Sequence, residues 1–309
     1  YFFIKDMTLF TNIKSFDKSF LLKLWLSLIL YQLSVCPVSA QKDTMDIKDY
    51  ILIINTYTES FPWSNRLIST ATNFVKDDPK LAVYTEHMNM IMIDNDSILD
   101  QFKDSLFDRY GSHRPRMLLL LGNSSLILKD DLRKMWGDIP MVLCAGKDYT
   151  GPEHYYLTKQ PIPLSERVPL AELSQSCNLT YLYANLYIHE NVEMMFRTLP
   201  RMKRFIYVGD ERFVNQVNSQ EIQEILRTKH PDVHYTFLSS RDIKKTNQLI
   251  DSLNFVDPRS TGILFSSWFH KRQFAGNMML TMILPEIVST VTGQLAPGLD
   301  AYDLVRSAF

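Results

Sequence analysis

The sequence predicts an α/β protein of two lobes, each built on a parallel sheet flanked by helices. Three observations carry that expectation. The apolar runs are short and continuous rather than alternating, as in strands buried on both faces. A polar turn follows each run, and then apolar residues at helical spacing, the rhythm of parallel strands joined by crossover helices. A proline-rich interval then divides these units into two series of similar length.

The first forty residues stand apart from this rhythm. Lys14, Lys18 and Lys23 precede an apolar run from Leu24 to Val35, which breaks at Pro37 and exits through Val38-Ser39-Ala40. A positive start, an apolar middle and a small-residue exit form the secretory pattern, so residues 1–40 are expected to be a signal peptide cleaved after Ala40. The run is about a dozen residues, whereas a spanning helix needs roughly 20. A lipoprotein reading at Cys36 is disfavoured by the bulk of Val35.

Residues 45–150 read as the N-terminal lobe. Tyr50–Ile54 is a strand, followed by a helix with Trp63, Leu67, Ile68, Ala71, Phe74 and Val75 on one face and Pro62 in its first turn. Leu81–Tyr84 is the second strand, and Ile98, Leu99, Phe102, Leu106 and Phe107 mark the next helix behind capping candidates at 94–96. Met117–Leu121 and Met141–Leu143 are strands flanking a helix through Leu128, Leu132, Met135 and Trp136. Residues 151–178, with Pro152, Pro161, Pro163 and Pro169, read as an inter-lobe or surface excursion.

The C-terminal lobe is expected over 179–309, with strands at Leu179–Tyr183, Phe205–Val208, Tyr235–Leu238 and Ile263–Phe265. About seven such units fit two lobes better than one barrel. Met278–Val291 is apolar but holds Pro285 and Glu286, so a buried helix or strand pair is expected there. Phe309 falls in mid-pattern, and the second lobe therefore reads as truncated, the chain as a fragment of something longer.

A hydrophobic share of 46% with 22% charged residues excludes a disordered chain, and leaves about 270 residues after cleavage for a large core. The net charge of -1 has no basic block, so no nucleic-acid partner is expected. Cys144 and Cys177 would remain after cleavage; spacing leaves both a disulfide and free thiols open.

In open α/β sheets ligands bind beyond the carboxyl ends of the strands. Those positions hold Asn55, Tyr57, Glu59 and Trp63 after the first strand, Glu86 and His87 after the second, and Gly122, Asn123 and Ser124 after the third. Lys147 and Asp148 follow the fourth. In the second series they hold Asp210, Glu211 and Arg212, then Ser239 and Ser240, then Ser266, Ser267 and Trp268. Aromatic faces beside polar groups suit a small polar organic ligand, although each Ser, Asn or Asp is by itself a common helix cap.

Catalytic patterns are scarce. The first strand lacks G-x-G-x-x-G, Gly122-Asn-Ser-Ser lacks the lysine of a phosphate loop, and G-x-S-x-G is absent. There is no H-E-x-x-H or C-x-x-C, and Pro231 breaks any helix that could bring His230 and His234 to one metal. Neither a metal nor a cofactor is expected, and the chain reads as a binding module rather than an enzyme.

The run Ile51–Trp63, with Tyr84-Thr-Glu-His-Met-Asn-Met90, Leu120-Leu-Gly-Asn-Ser124, Gly209-Asp-Glu-Arg212 and Gly262–Trp268, resembles the periplasmic sensor domains of bacterial hybrid two-component histidine kinases. Those domains are similar to type I periplasmic substrate-binding proteins. The resemblance spans roughly Asp49 to Asn277. It implies a periplasmic, membrane-tethered input domain whose two lobes close on a ligand, with a downstream membrane helix and kinase as partners and homodimeric pairing. Alternatives are a free periplasmic solute-binding protein of an ABC transporter, and a secreted α/β hydrolase using Glu86 and His87.

Overall fold

A computed structural model describes residues 49–59, 61–243, 245–274 and 277–282. The expected signal peptide and the stretch beyond Met282 lie outside the described residues.

Continuous apolar runs become strands whose successive side chains enter two different cores. In β1 (Asp49–Asn55), Leu52 and Ile54 face one side while Ile53 faces the other, all three fully buried. Strands β2 (Leu81–His87), β3 (Met117–Leu121), β4 (Met141–Ala145) and β7 (Leu179–Tyr183) complete a sheet of order β2-β1-β3-β4-β7, parallel at every pair. Helix α1 (Pro62–Val75) covers the Ile53 face with Trp63, Leu67, Ile68 and Ala71. Phe74, expected on that stripe, is exposed instead. Helices α2 (Asp96–Tyr110) and α3 (Lys129–Trp136) cover the opposite face through Leu99, Leu106, Leu132 and Trp136. Each fully buried leucine stabilises by about 1.5–3 kcal/mol. The α2 start is fixed by Asn95, whose side chain accepts the Ile98 N–H at 3.0 Å.

Residues 151–178 differ from a surface excursion. They form α4 (Glu153–Thr158) and α5 (Leu170–Ser176), and a short antiparallel bridge joins β5 (Tyr149–Thr150) to β6 (Val168–Pro169). Tyr156, Leu157, Ile162 and Leu170 are buried in the first core, because the prolines bend the chain back over the sheet rather than away from it. Leu179–Tyr183, expected to open the second lobe, pairs with β4 and so extends the first sheet. Its outer edge carries exposed Leu182 and Tyr183.

The second half repeats the scheme. Strands β8 (Arg204–Gly209), β9 (His234–Ser239) and β10 (Thr261–Phe265) form a parallel sheet of order β10-β8-β9. Phe205 and Tyr207 pack under α6 (Ile188–Thr198) and α7 (Phe213–Lys229); Ile206 and Val208 pack under α8 (Thr246–Asn254) with Trp268. An antiparallel pair, β11 (Phe269–Phe274) with β12 (Asn277–Met282), follows, so the described part of the apolar tail, 278–282, is one strand, paired with a segment that precedes the tail. The predicted α/β class with parallel sheets flanked by helices is the observed one. Among the described residues no helix is long and apolar enough to cross a membrane. Cys144 and Cys177 are free thiols.

Candidate functional site

Strand order decides where a crevice can form. In the first sheet β2 and β3 leave β1 on opposite sides, and in the second β9 and β10 leave β8 on opposite sides. At such switch points the loops after neighbouring strands diverge and open a gap at the carboxyl ends. A cavity of about 60 Å³ lies there. It is lined from the first half by the loops after β1 (Thr56, Tyr57, Thr58, Phe61), β2 (Asn89, Met90, Ile91), β3 and β4. The second half contributes Arg212, Phe213 and Val214 after β8, and Phe269 after β10.

The loop after β1 is pinned from below. Asn55 is fully buried; its Oδ1 accepts the Tyr57 N–H at 3.1 Å, and its Nδ2 donates to His87 Nδ1 at 2.9 Å and to Ser64 Oγ at 3.2 Å. Thr56 Oγ1 donates to the Leu121 carbonyl at 2.8 Å. Tyr57 then stacks on Phe61 (4.4 Å between centroids) and meets Trp63 edge-on at 5.6 Å. Burial raises the Tyr57 phenol above its usual range, with Arg212 opposing, so it remains a neutral O–H. Gly122 makes room for this loop. Its φ is +93°, and a Cβ there would lie 2.4 Å from Thr56 Oγ1.

The second half presents one cation held in a polar network. Asp210, fully buried, accepts from Arg212 Nε at 2.8 Å and Nη2 at 2.9 Å, from Asn215 Nδ2 at 2.9 Å and from Ser267 Oγ at 2.9 Å. Burial alone would lower the Arg212 pKa, but the Asp210 charge outweighs it and the guanidinium stays protonated. That guanidinium lies 4.5 Å from the Phe269 ring centroid, 4.9 Å from Phe61 and 5.9 Å from Tyr57. Two of those rings belong to the first half, so the cation–π contacts bridge the crevice. Lys147 Nζ, 2.7 Å from Glu221, bridges it again, as do the Tyr156–Phe213 ring pair (4.6 Å) and a 3.1 Å bond from Arg241 to the Thr158 carbonyl.

Of the residues predicted from strand ends, Tyr57, Asn123, Ser124, Lys147 and Arg212 line the cavity. Asn123 also staples the loop after β4: its Nδ2 donates to the Lys147 and Tyr149 carbonyls, both at 2.8 Å, and its Oδ1 accepts from Gly146 N–H at 2.9 Å. Asp210 and Ser267 stand directly behind Arg212, and Ser266 donates to Asn215 at 2.8 Å. Asn55, His87 and Trp63 support the Tyr57 loop without lining the cavity. Glu86 lies at the far side of β2, accepting from Arg109 at 2.6 Å and Tyr110 at 2.7 Å. Glu59 is exposed, Glu211 N–H donates to Ser240 at 3.0 Å, and Trp268 is fully buried in the second core.

Strand-end reasoning did not select Phe61, Asn89, Met90, Lys159, Phe213 or Phe269. Lys159 takes a left-handed backbone at the end of α4 and donates to the Met90 carbonyl at 2.7 Å and to that of Ile93, which fixes the loop after β2. Among the described residues no cluster of three or more His, Cys, Asp or Glu could hold a metal ion.

No protein-family model and no curated protein matches this chain. Solved structures similar to it include a periplasmic binding protein/LacI transcriptional regulator from Alkaliphilus metalliredigens QYMF complexed with D-xylulofuranose. The identity is 13% and the TM-score 0.40, over 80% of this chain and 71% of that one. A substrate-binding protein with adhesive properties from Clostridium difficile, in its ligand-free open form, is similar at 12% identity and TM-score 0.37, over 66% of this chain and 61% of that one. Full-length LpoA from Haemophilus influenzae is similar at 13% identity and TM-score 0.33, over 81% of this chain and 36% of that one. Likeness at this level carries neither a ligand nor a function to this chain.

Proposed function

We propose that this chain is an extracytoplasmic small-ligand-binding module, the input domain of a two-component signalling protein, with closure of its two halves on the ligand as the signal. The observation that carries the binding reading is the position of the cavity, at the carboxyl-end crevices of both parallel sheets at once. A ligand there touches both halves, so its affinity depends on how they are arranged, and it favours whichever arrangement it binds better. Aromatic rings supply contact area, and the amide and hydroxyl groups orient. Glu86 and His87 are engaged in fixing α2 and the Tyr57 loop, which favours binding without turnover over a hydrolase.

The test is a thermal-shift screen of sugars, nucleobases, amino acids and small organic acids. A bound ligand at a hundredfold excess over Kd stabilises by about 2.7 kcal/mol. If no small molecule raises the melting temperature, the ligand-binding reading fails. The signalling role is tested separately, by the coding sequence beyond Phe309: a membrane helix and kinase support it, whereas a stop codon supports a free carrier for a transporter.

A further inference from the structure

Strand β7 is the outer edge of the first sheet, and among the described residues no strand lies beyond it. The Asn178 carbonyl accepts from Met141 N–H, and Ala184 N–H donates to the Ala145 carbonyl, both at 2.9 Å. Even-numbered positions thus turn their backbone groups to β4, while Tyr181 and Tyr183 turn theirs outward. Edge strands are ordinarily protected by a charged side chain, a proline or a bulge. Leu179-Thr-Tyr-Leu-Tyr183 has no charge and no proline, and it pairs with β4 without a break in register.

Apolar side chains are exposed beside this edge. Leu182 is 60% exposed and Tyr183 43%, and Leu186 and Tyr187 follow them, also exposed, in the crossing to the second half. Met194, two turns along α6 from Tyr187 and on the same face of the helix, is exposed as well. Single apolar residues are ordinary on a surface, whereas a run of them beside an open strand marks a surface that takes a partner.

The charges at the two ends of the strand say which partner. At its finish, burial and then the carboxylates Asp148, Glu221 and Glu190 hold the Tyr183 phenol above its usual range. Lys147 offsets Glu221, which leaves Asp148 and Glu190 in excess. At its start, burial raises the Cys177 thiol, while Lys129 and Arg133 of α3 act against it and Asp138 acts with it. Lys129 is held by Asp130, and Arg133 is exposed. A partner carrying one sign of charge would be matched at one end and repelled at the other. A second copy of this chain meets both ends. A two-fold axis through Tyr181 lays the two strands antiparallel, so that Arg133 faces Asp148 and Glu190 of the partner subunit. Tyr181 then exchanges two N–H···O bonds with its own copy, and Thr180 lies opposite Leu182 of the partner subunit.

We propose that the open edge of β7 is a homodimer interface, joining the first sheets of two copies into one continuous sheet. The proposal does not depend on what fills the cavity.

The experiment is sedimentation velocity of the wild-type protein and Leu182→Lys, from about 1 μM to about 1 mM, a range that brackets weak association. The wild type is expected to pass from monomer to dimer. Leu182→Lys is expected to weaken dimerisation by at least about tenfold at an unchanged melting temperature, because Leu182 is exposed in the single chain. The register is read by oxidative cross-linking of Thr180→Cys and Leu182→Cys. Residues opposite each other in a non-hydrogen-bonded antiparallel pair lie about 4.5 Å apart between Cα atoms, within reach of a disulfide. A mixture of the two variants is expected to cross-link, whereas each alone sets its thiols on a diagonal of about 7–8 Å and does not. The wild type, which keeps Cys144 and Cys177, is the control and stays uncross-linked. A protein monomeric throughout, a dimer that Leu182→Lys leaves intact, or absence of the mixed disulfide overturns the proposal. So does cross-linking of either variant alone as fully as the mixture. If Leu182→Lys lowers the melting temperature, the mixed disulfide alone decides.

Discussion

Arg212 and Gly122 show how single residues set the site. Removing the Arg212 side chain leaves Asp210 fully buried with only Asn215, Ser267 and a backbone N–H for partners. Breaking a buried pair from one side costs about 3–5 kcal/mol, since the remaining charge has nowhere to go. Arg212→Ala is therefore expected to lower stability by that amount in urea denaturation. Arg212→Lys is expected to fall between the two: it keeps the charge but not the two-pronged contact. Gly122→Ala acts differently. It forces a side chain into a backbone with φ +93° and against Thr56, at an expected cost of about 1–3 kcal/mol, and it shifts the near-ultraviolet dichroism of the Tyr57–Trp63 pair. At this scale the site was partly legible. Tyr57 and Asn123 follow strands that the apolar runs locate, so their position at the cavity could be read from the sequence. Asn89 and Lys159 could not, because their roles depend on left-handed backbone in loops and on a lysine reaching back to residues 90 and 93.

Elements were legible where burial on two faces leaves no alternative. β1, β3 and β8 read as strands because their central runs are continuously apolar, and α1 because its stripe fits one face of a helix. The neighbours of a strand are another matter. Leu179–Tyr183 has the composition of a strand, but nothing local says that it pairs with β4 rather than opening a new sheet. Contacts between elements also carry the pH dependence. On α6, Glu193 accepts from Lys229 of α7 at 3.0 Å, and this bond holds its carboxyl below the usual carboxylate range despite partial burial. A carboxylate depressed in the folded state adds stability above its unfolded pKa and loses it as the pH falls through the folded value. Glu193→Gln is thus expected to lower the melting temperature at neutral pH, by a difference that shrinks as the pH falls through the folded value of the wild-type carboxyl. Melting curves of both proteins across that range check it; a difference that persists in acid would show that the charge is not what matters.

For the whole molecule, what counts is the set of contacts between the two halves. Among the described residues the bridges differ in kind, and include the Arg212 cation on Phe61 and Tyr57, the Lys147–Glu221 ion pair, the Phe61–Phe269 and Tyr156–Phe213 ring pairs and the Arg241 bond. Because Glu221 is partly exposed, its pair with Lys147 is expected to contribute about 1 kcal/mol or less, falling with salt. Glu221→Ala should accordingly leave the melting of each half nearly unchanged while increasing the radius of gyration in small-angle X-ray scattering. An unchanged radius would mean that the remaining bridges suffice to keep the crevice shut.

The packing of Arg212 on Phe61 across the crevice has a kinetic consequence. Phe61 and Arg212 line the cavity from opposite halves with guanidinium and ring centroid 4.9 Å apart, so a ligand that needs the wider crevice gains it when the two separate. Stopped-flow association, followed by Trp63 fluorescence, should then level off with rising concentration at the rate of spontaneous parting, and loosening the Phe61–Arg212 contact by Phe61→Ala should raise that plateau. The residue that shapes the pocket would in this way also set the clock for filling it.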